Sequence, residues 1–438
     1  MSAGPAPRGS AADASDALDP ARPRADNSPV PSADAVKPPV RPHDAAAPET
    51  SAIDVGALSP EDLAADHAMA TLAGSVRFLL EMTPVNADDV RAKFLAHPEI
   101  DPVFEYRKLD ADPNVLDAQV AALPLDDVAD ATLAALLRNR QREMSLRIEM
   151  LRARNTPDFL QLSITQYGAV QPGLVSCAED LLRRLPSGRL EYDSVNAETF
   201  LAAAQAEIDY YRSIDPDVGI HAEIRDDISG VLVDGNMLLI SNNAAVAAPR
   251  VNALLQHEVG THLVTQVNGM AQPIRMLGSG LAHYDETQEG LAVLAEIACG
   301  GLTATRLRQL AARVIAVQSL VGGATFVETH RLLTGHGLPA GSAYGVAMRV
   351  YRAGGFTKDA IYLRGLLALL QHVADGGALD LFFLGKFSLE DLPLVEDLAA
   401  RGLLSAARVM PRYLSDPEAA ARLQNAARTE DLVTLVNA

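Results

Sequence analysis

The sequence predicts a mainly helical α+β domain in which a small antiparallel sheet stands just before a helix carrying two histidines. Three observations carry this expectation. Stretches on both sides of residues 216–300 repeat apolar residues at three- and four-residue spacing, the period of a half-buried helix. Residues 219–241 instead alternate apolar and polar positions and are punctuated by Asp-Gly turn chemistry. Directly after them comes Leu254-Leu255-Gln256-His257-Glu258-Val259-Gly260-Thr261-His262, a largely apolar run that holds two imidazoles and a carboxylate.

The chain has 438 residues, 48% of them hydrophobic, enough to bury a large core. Its formal charge of −19 argues against a nucleic-acid or anionic-membrane surface, because both need dense Lys and Arg to displace counterions. No uninterrupted run of 18 apolar residues occurs, so no membrane insertion is expected. Cys177 and Cys299 are the only cysteines; two distant thiols make no framework and fit a reducing, cytoplasmic setting.

Residues 1–55 hold 10 of the 26 prolines and no aromatic residue, a composition that buries too little apolar surface to offset chain entropy. They are expected to form a disordered N-terminal tail. A folded domain is expected over 56–412, with a helical layer at 56–215, the sheet and the two-histidine segment at 216–300 and a helical part at 301–412. A C-terminal tail follows over 413–438.

Ser59-Pro60-Glu61-Asp62 opens the first helix, since Ser before Pro and two acids is a helix start. Further helices are expected at 86–96, 125–153, 173–185 and 196–213. His67 and His97 lie among these without acidic or sulfur partners at ligand spacing, so they read as ordinary histidines. Three short strands follow at 219–224, 230–233 and 236–241; Asn236–Ser241 is the candidate edge that would hold an extended substrate. Later helices are expected at 285–298, 305–321, 325–333, 340–352, 358–374 and 389–400.

Two imidazoles and a carboxylate from a second segment make a three-ligand set that leaves one position of a tetrahedral zinc free, as hydrolysis requires. In the common HExxH helix the histidines sit four residues apart on one face. His257 and His262 are five apart. On an ideal α-helix that spacing turns the second side chain about 140° away from the first. A π-type turn realigns them, and Gly260 in the gap relaxes the backbone. Glu289, 27 residues after His262, lies in Gln288-Glu289-Gly290-Leu291-Ala292 on an apolar helix. Glu296 follows it by two turns and Glu286 precedes it by one, so either is placed to accept a hydrogen bond from a ligating imidazole.

The run HEVGTH, the later QEGLAVLAE, and Met348-Arg349-Val350-Tyr351-Arg352-Ala353-Gly354-Gly355 with Thr357-Lys358-Asp359 resemble the bacterial flavohemoglobin expression-modulating QEGLA motif family. Its animal relatives include the microtubule-associated tyrosine carboxypeptidases, zincin-like metallopeptidases, and the resemblance covers roughly residues 60–410. It implies one Zn²⁺ per chain, with His257, His262 and Glu289 as ligands and Glu258 as the general base. It also implies a peptide or protein C-terminus as substrate, with an aromatic last residue the first to try. A carboxypeptidase must hold a terminal carboxylate, which a fork of Arg donors does well, and gains from a donor on the developing oxyanion. Arg349, Tyr351 and Arg352 are the candidates for these two roles, with His330 a further oxyanion donor. Two other classes compete: a metal-binding regulatory protein without turnover, and a metal-dependent hydrolase of a non-peptide amide. The acid beside the first histidine favours the enzyme, because a purely structural site does not need it.

Overall fold

The computed structural model describes residues 57–187, 193–226, 228 and 230–436. The tail expected over 1–55 lies outside the described residues. In the N-terminal half, helices α1 (Pro60–Ser75), α2 (Ala87–Ala96), α3 (Pro113–Ala121), α4 (Ala131–Arg152), α5 (Asp158–Tyr167), α6 (Pro172–Arg184) and α7 (Ala197–Ile214) build one wall of the core. The start signal at Ser59 is realised as a capping box with Asp62. The helix expected over 125–153 is broken. Asp62 Oδ1 accepts the backbone N–H groups of Ala129 and Asp130 at 2.7 and 3.2 Å, and Asp130 then caps α4. A carboxylate from α1 thus competes for amides that a continuous helix would have used.

The sheet holds β1 (His221–Arg225), β2 (Val231–Asp234) and β3 (Met237–Ser241) in the order β1-β3-β2. β2 and β3 form the antiparallel hairpin that Asp234-Gly235 announces, but β1 pairs with β3 in parallel, His221 opposite Met237. The expectation of an all-antiparallel sheet is therefore corrected. The cause is burial: Leu238, Leu239, Ile240 and Ser241 are all buried, and a strand covered on both faces takes the central place. The chain reverses at β2 and again at β3, so β1 and β3 run the same way. Asn236–Ser241 is therefore not an edge, and among the described residues the free edges belong to β1 and β2.

The active half continues with α8 (Val251–His257), a π-helical segment (Glu258–Leu263), α9 (Val264–Met270) and α10 (Tyr284–Ala298). Then come α11 (Ala304–Val321), α12 (Phe326–Gly335), α13 (Ala340–Tyr351), α14 (Ile361–Ala374), α15 (Leu392–Ala400) and α16 (Pro417–Arg428). The sheet packs on the π segment through β2 and β3, and α10 crosses α14. That crossing is unusually close. A Cβ on Gly290 would lie 2.6 Å from the backbone of Gly365, and one on Gly365 would lie 2.2 Å from the carbonyl of Glu286.

Residues 413–436 pack on the domain instead of trailing from it. α16 lies against α10 and α14, and Tyr413, Leu423 and Leu435 are buried. Its apolar residues are mostly alanines among charges, which is why the segment reads as a tail in sequence.

Candidate metal centre

The five-residue spacing of the histidines is accommodated as geometry demands: the chain leaves the α-helix at Glu258 and takes π-helical turns to Leu263. Thr261 Oγ1 donates to the carbonyl of Gln256, five residues back, at 3.0 Å. Gly260 is needed for close approach, since a Cβ there would fall 2.5 Å from Gln256 Oε1. The Gln256 side chain is buried and donates through Nε2 to Glu207 at 2.9 Å, so it has little freedom to move aside.

The two imidazoles end 5.2 Å apart between ring centroids, nearly perpendicular. His257 Nε2 and His262 Nε2 stand 3.8 and 3.7 Å from the same oxygen, Glu289 Oε2. Those gaps exceed hydrogen-bond range. Two ligands each about 2.0–2.1 Å from one zinc at tetrahedral angles are about 3.3–3.4 Å apart, so each imidazole nitrogen sits close to the spacing from Glu289 Oε2 that a shared ion would impose. Glu258 also comes near: one of its oxygens and a nitrogen of each histidine all lie within 4.8 Å of one another.

The far side of each ring is held. His257 Nδ1 lies 2.9 Å from Glu296 Oε1, a fully buried carboxylate that also receives Arg250 and Arg306. A carboxylate can only accept, so His257 carries its proton on Nδ1 and turns the Nε2 lone pair towards Glu289. His262 Nδ1 has a longer contact, 3.5 Å, to Gln288 Oε1, which Thr265 Oγ1 also donates to at 2.9 Å. Of the two acids considered as partners for the imidazoles, Glu296 takes the role. Glu286 instead binds Arg364 on α14 at 2.6 and 2.8 Å.

The two nearer carboxylates differ sharply in electrostatics. Burial opposes the charge of Glu289, but Lys358 and the imidazoles outweigh it and hold the carboxyl well below its ordinary range. Lys358 Nζ stands 3.5 Å from Glu289 Oε1 and 3.2 Å from Asp285 Oδ1, and Asp285 continues to Arg147 at 2.6 Å. Glu258 has no such counter-ion. Burial pushes its carboxyl up, only partly offset by the two histidines, and it makes no hydrogen bond among the described residues. The π segment and α10 therefore bring together one pinned anion, two oriented imidazoles and one uncommitted carboxyl.

The basic residues expected beside the site fall into two groups. Arg349 forms a two-pronged pair with Asp359 at 2.6 and 2.8 Å, and Arg352 is buried near the same carboxylate. Tyr351 points its hydroxyl at the carbonyl of Ala324 and at Thr329, both at 2.6 Å. His330 is buried, with Nε2 at 3.1 Å from the carbonyl of Ala340 and its ring on Phe94. Two side chains that sequence reasoning passed over, Arg313 and Lys386, stand here. Arg313 on α11 and Tyr362 on α14 pack together, 4.4 Å from guanidinium to ring. Lys386, whose backbone pairs with Leu277 and Leu281, has no hydrogen-bond or ion-pair partner for its amine among the described residues, although its charge is felt at His262. Burial pushes that amine down to about 8.

Comparison with known proteins gives the family. Residues 92–430 match the family described as microtubule-associated tyrosine carboxypeptidase, and the chain belongs to that family. Microtubule-associated tyrosine carboxypeptidase 1 of Mus musculus is 30% identical over 182 residues, 38% of this chain and 37% of that protein. The chain thus spans little more than a third of the length of this curated relative. A solved chain from Colwellia psychrerythraea described as a lipoprotein aligns over 66% of each chain at 14% identity, with a TM-score of 0.42.

Proposed function

We propose that this protein is a zinc-dependent, zincin-like carboxypeptidase that removes one residue from a peptide C-terminus, with His257, His262 and Glu289 holding the ion. The observation that carries the reading is the convergence of both Nε2 atoms on Glu289 Oε2 while Glu296 takes the back of the His257 ring. Family membership supports the peptidase class, and the relative's name supplies tyrosine as the first terminal residue to test.

A bound zinc would supply a Lewis acid and a water of lowered pKa. The chain's own groups divide the remaining work. Glu289, pinned as an anion by Lys358, suits a ligand. Glu258 is unpinned and its carboxyl is raised by burial, so it suits proton exchange: it takes a proton from the attacking water and returns it to the departing amine. Glu296 keeps the His257 ring in the tautomer that presents Nε2. Among the described residues no helix is long and apolar enough to cross a membrane. Cys177 and Cys299 are free thiols, and a cytoplasmic setting completes the proposal.

The test is a set of synthetic peptides with varied last residues, followed by mass spectrometry for loss of one residue. Wild type should shorten a subset, with tyrosine- or phenylalanine-ending peptides first, and Glu258→Gln should shorten none. Equal turnover by Glu258→Gln would remove the proposed base, and cleavage only at internal bonds would replace the carboxypeptidase by an endopeptidase.

A further inference from the structure

We propose that Arg147, on a helix that carries no metal ligand, is a positioning residue for Glu289 and acts on it through Asp285 and Lys358. This deepens the zinc reading and rests on it for the ion.

Charged side chains alternate in sign from the proposed ligand into the N-terminal wall. Glu289 Oε1 lies 3.5 Å from Lys358 Nζ, which lies 3.2 Å from Asp285 Oδ1. Asp285 Oδ2 accepts from Arg147 Nη2 at 2.6 Å, and the same nitrogen donates to Glu143 Oε1 at 2.8 Å. Glu143 also accepts from Arg140 and, at 2.6 Å, from Gln166 Nε2. Arg140, Glu143 and Arg147 follow one another on α4, Asp285 and Glu289 stand one turn apart on α10, and Lys358 lies in the turn before α14. Nothing in the sequence joins Arg147 to Asp285, 138 residues later.

Stability alone does not account for the chain. Buried ion pairs are weak evidence for it, because desolvation offsets their attraction. Here Arg140 Nε and Arg147 Nε are buried and lack hydrogen-bond partners among the described residues, a further cost. No side chain from Glu289 to Glu143 is more than 15% exposed, so solvent screens these charges little.

The chain sorts the oxygens of Glu289. Oε1 faces Lys358, and Oε2 faces Nε2 of His257 and of His262 at 3.8 and 3.7 Å. Lys358 stands between two like charges one helical turn apart, a spacing at which they repel. Asp285, the nearer of the two, is divided in the same way: Oδ1 takes Lys358 and Oδ2 takes Arg147. Without Arg147, Asp285 draws the ammonium to itself, Glu289 Oε1 loses its partner, and the carboxylate is free to turn away from the imidazoles. Arg147 is fixed in turn by Glu143 and by the Phe78 ring, 5.6 Å from its guanidinium.

The experiment measures zinc affinity of the full-length protein by competition with a chromophoric chelator. Arg147→Met should bind zinc about tenfold more weakly, the lower end of the usual cost of losing an outer partner of a metal ligand. Arg147→Lys should retain most of the affinity. Asp285→Asn should stay near wild type, because Lys358 then turns wholly to Glu289. The double variant Arg147→Met/Asp285→Asn should therefore recover what Arg147→Met loses, whereas general loosening of the fold would leave it at least as weak as Arg147→Met. The visible absorption of the Co²⁺-loaded protein should change in Arg147→Met and return in the double variant. Melting curves identify any variant that fails to fold. If Arg147→Met is one, Asp285→Asn and the double variant decide: equal zinc affinity supports the relay, and a further loss in the double overturns it. Unchanged affinity in Arg147→Met, or no recovery in the double, also overturns it and leaves the zinc reading standing. A wild type that binds no zinc removes that reading and the role of Arg147 with it.

Discussion

Glu296 Oε1 lies 2.9 Å from His257 Nδ1, while Glu289 Oε2, two helical turns earlier on α10, faces Nε2 of the same ring at 3.8 Å. One helix thus grips both sides of one imidazole. Replacing the rear acceptor should loosen the ring without removing a ligand. Glu296→Gln is expected to weaken zinc binding about 10–100-fold, the usual cost of losing such a partner. Competition with a chromophoric chelator measures it, and unchanged affinity would show that Glu296 only neutralises Arg250 and Arg306.

Lys358 is the sole lysine or arginine within 4.0 Å of Glu289 among the described residues, and it also serves Asp285. Removing it leaves two half-buried acids side by side, with only Arg147 on Asp285. Lys358→Met should destabilise the fold by about 3–5 kcal/mol, as breaking a buried ion pair does, and should lower zinc affinity as Glu289 loses its pin. Denaturant unfolding and metal titration read the two effects, and zinc saturation should recover part of the stability.

The α10–α14 crossing admits no side chain. Gly365→Ala would put a methyl 2.2 Å from the Glu286 carbonyl and force the helices apart. A loss of about 1–3 kcal/mol is expected for overpacking of this kind. Because α10 carries Glu289 and Glu296, zinc affinity should fall with it. A variant of wild-type stability and affinity would mean that the crossing is looser than the structure has it.

Asp66 is fully buried, and desolvation raises its carboxyl from 3.8 to about 6 against two backbone N–H donors, Arg275 and Met276. A raised folded-state value means that the stabilising form is the protonated one. Its contribution is complete below pH 4 and is lost as pH rises through 6. Relative to Asp66→Asn, which stays neutral, wild type should lose about 3 kcal/mol between pH 4 and 7. Denaturant titrations at both pH values check the sign: a variant that loses ground as pH rises would contradict it.

Much of the centre was legible from residue spacing alone. Five residues between His257 and His262 demand a π turn in any helix that joins them to one ion, and the chain makes that turn. The QEGLA segment likewise places Glu289 on the next helix. What spacing could not resolve is which way a helix faces. Glu286 and Glu296 are equally periodic with Glu289, and the choice falls to Arg364 on one side and to Arg250 and Arg306 on the other. Those partners come from segments far apart in sequence. The strand at Met237–Ser241 illustrates the same limit, because its alternation does not disclose that both faces are covered. Arg313 and Lys386 stood in no motif; Arg313 becomes visible only when its buried nitrogens are seen without hydrogen-bond partners, and Lys386 when its charge is felt at His262.

The central claim is the division of labour between the two carboxylates, and metal content tests it most directly. Wild type, Glu289→Ala and Glu258→Gln would be purified alike, dialysed against trace-metal-free buffer and assayed by mass spectrometry of the elements. The account predicts about one zinc per chain in wild type and Glu258→Gln, and a large loss in Glu289→Ala. Full zinc in Glu289→Ala together with loss in Glu258→Gln would contradict it, making Glu258 the ligand and leaving the proposed base without a role.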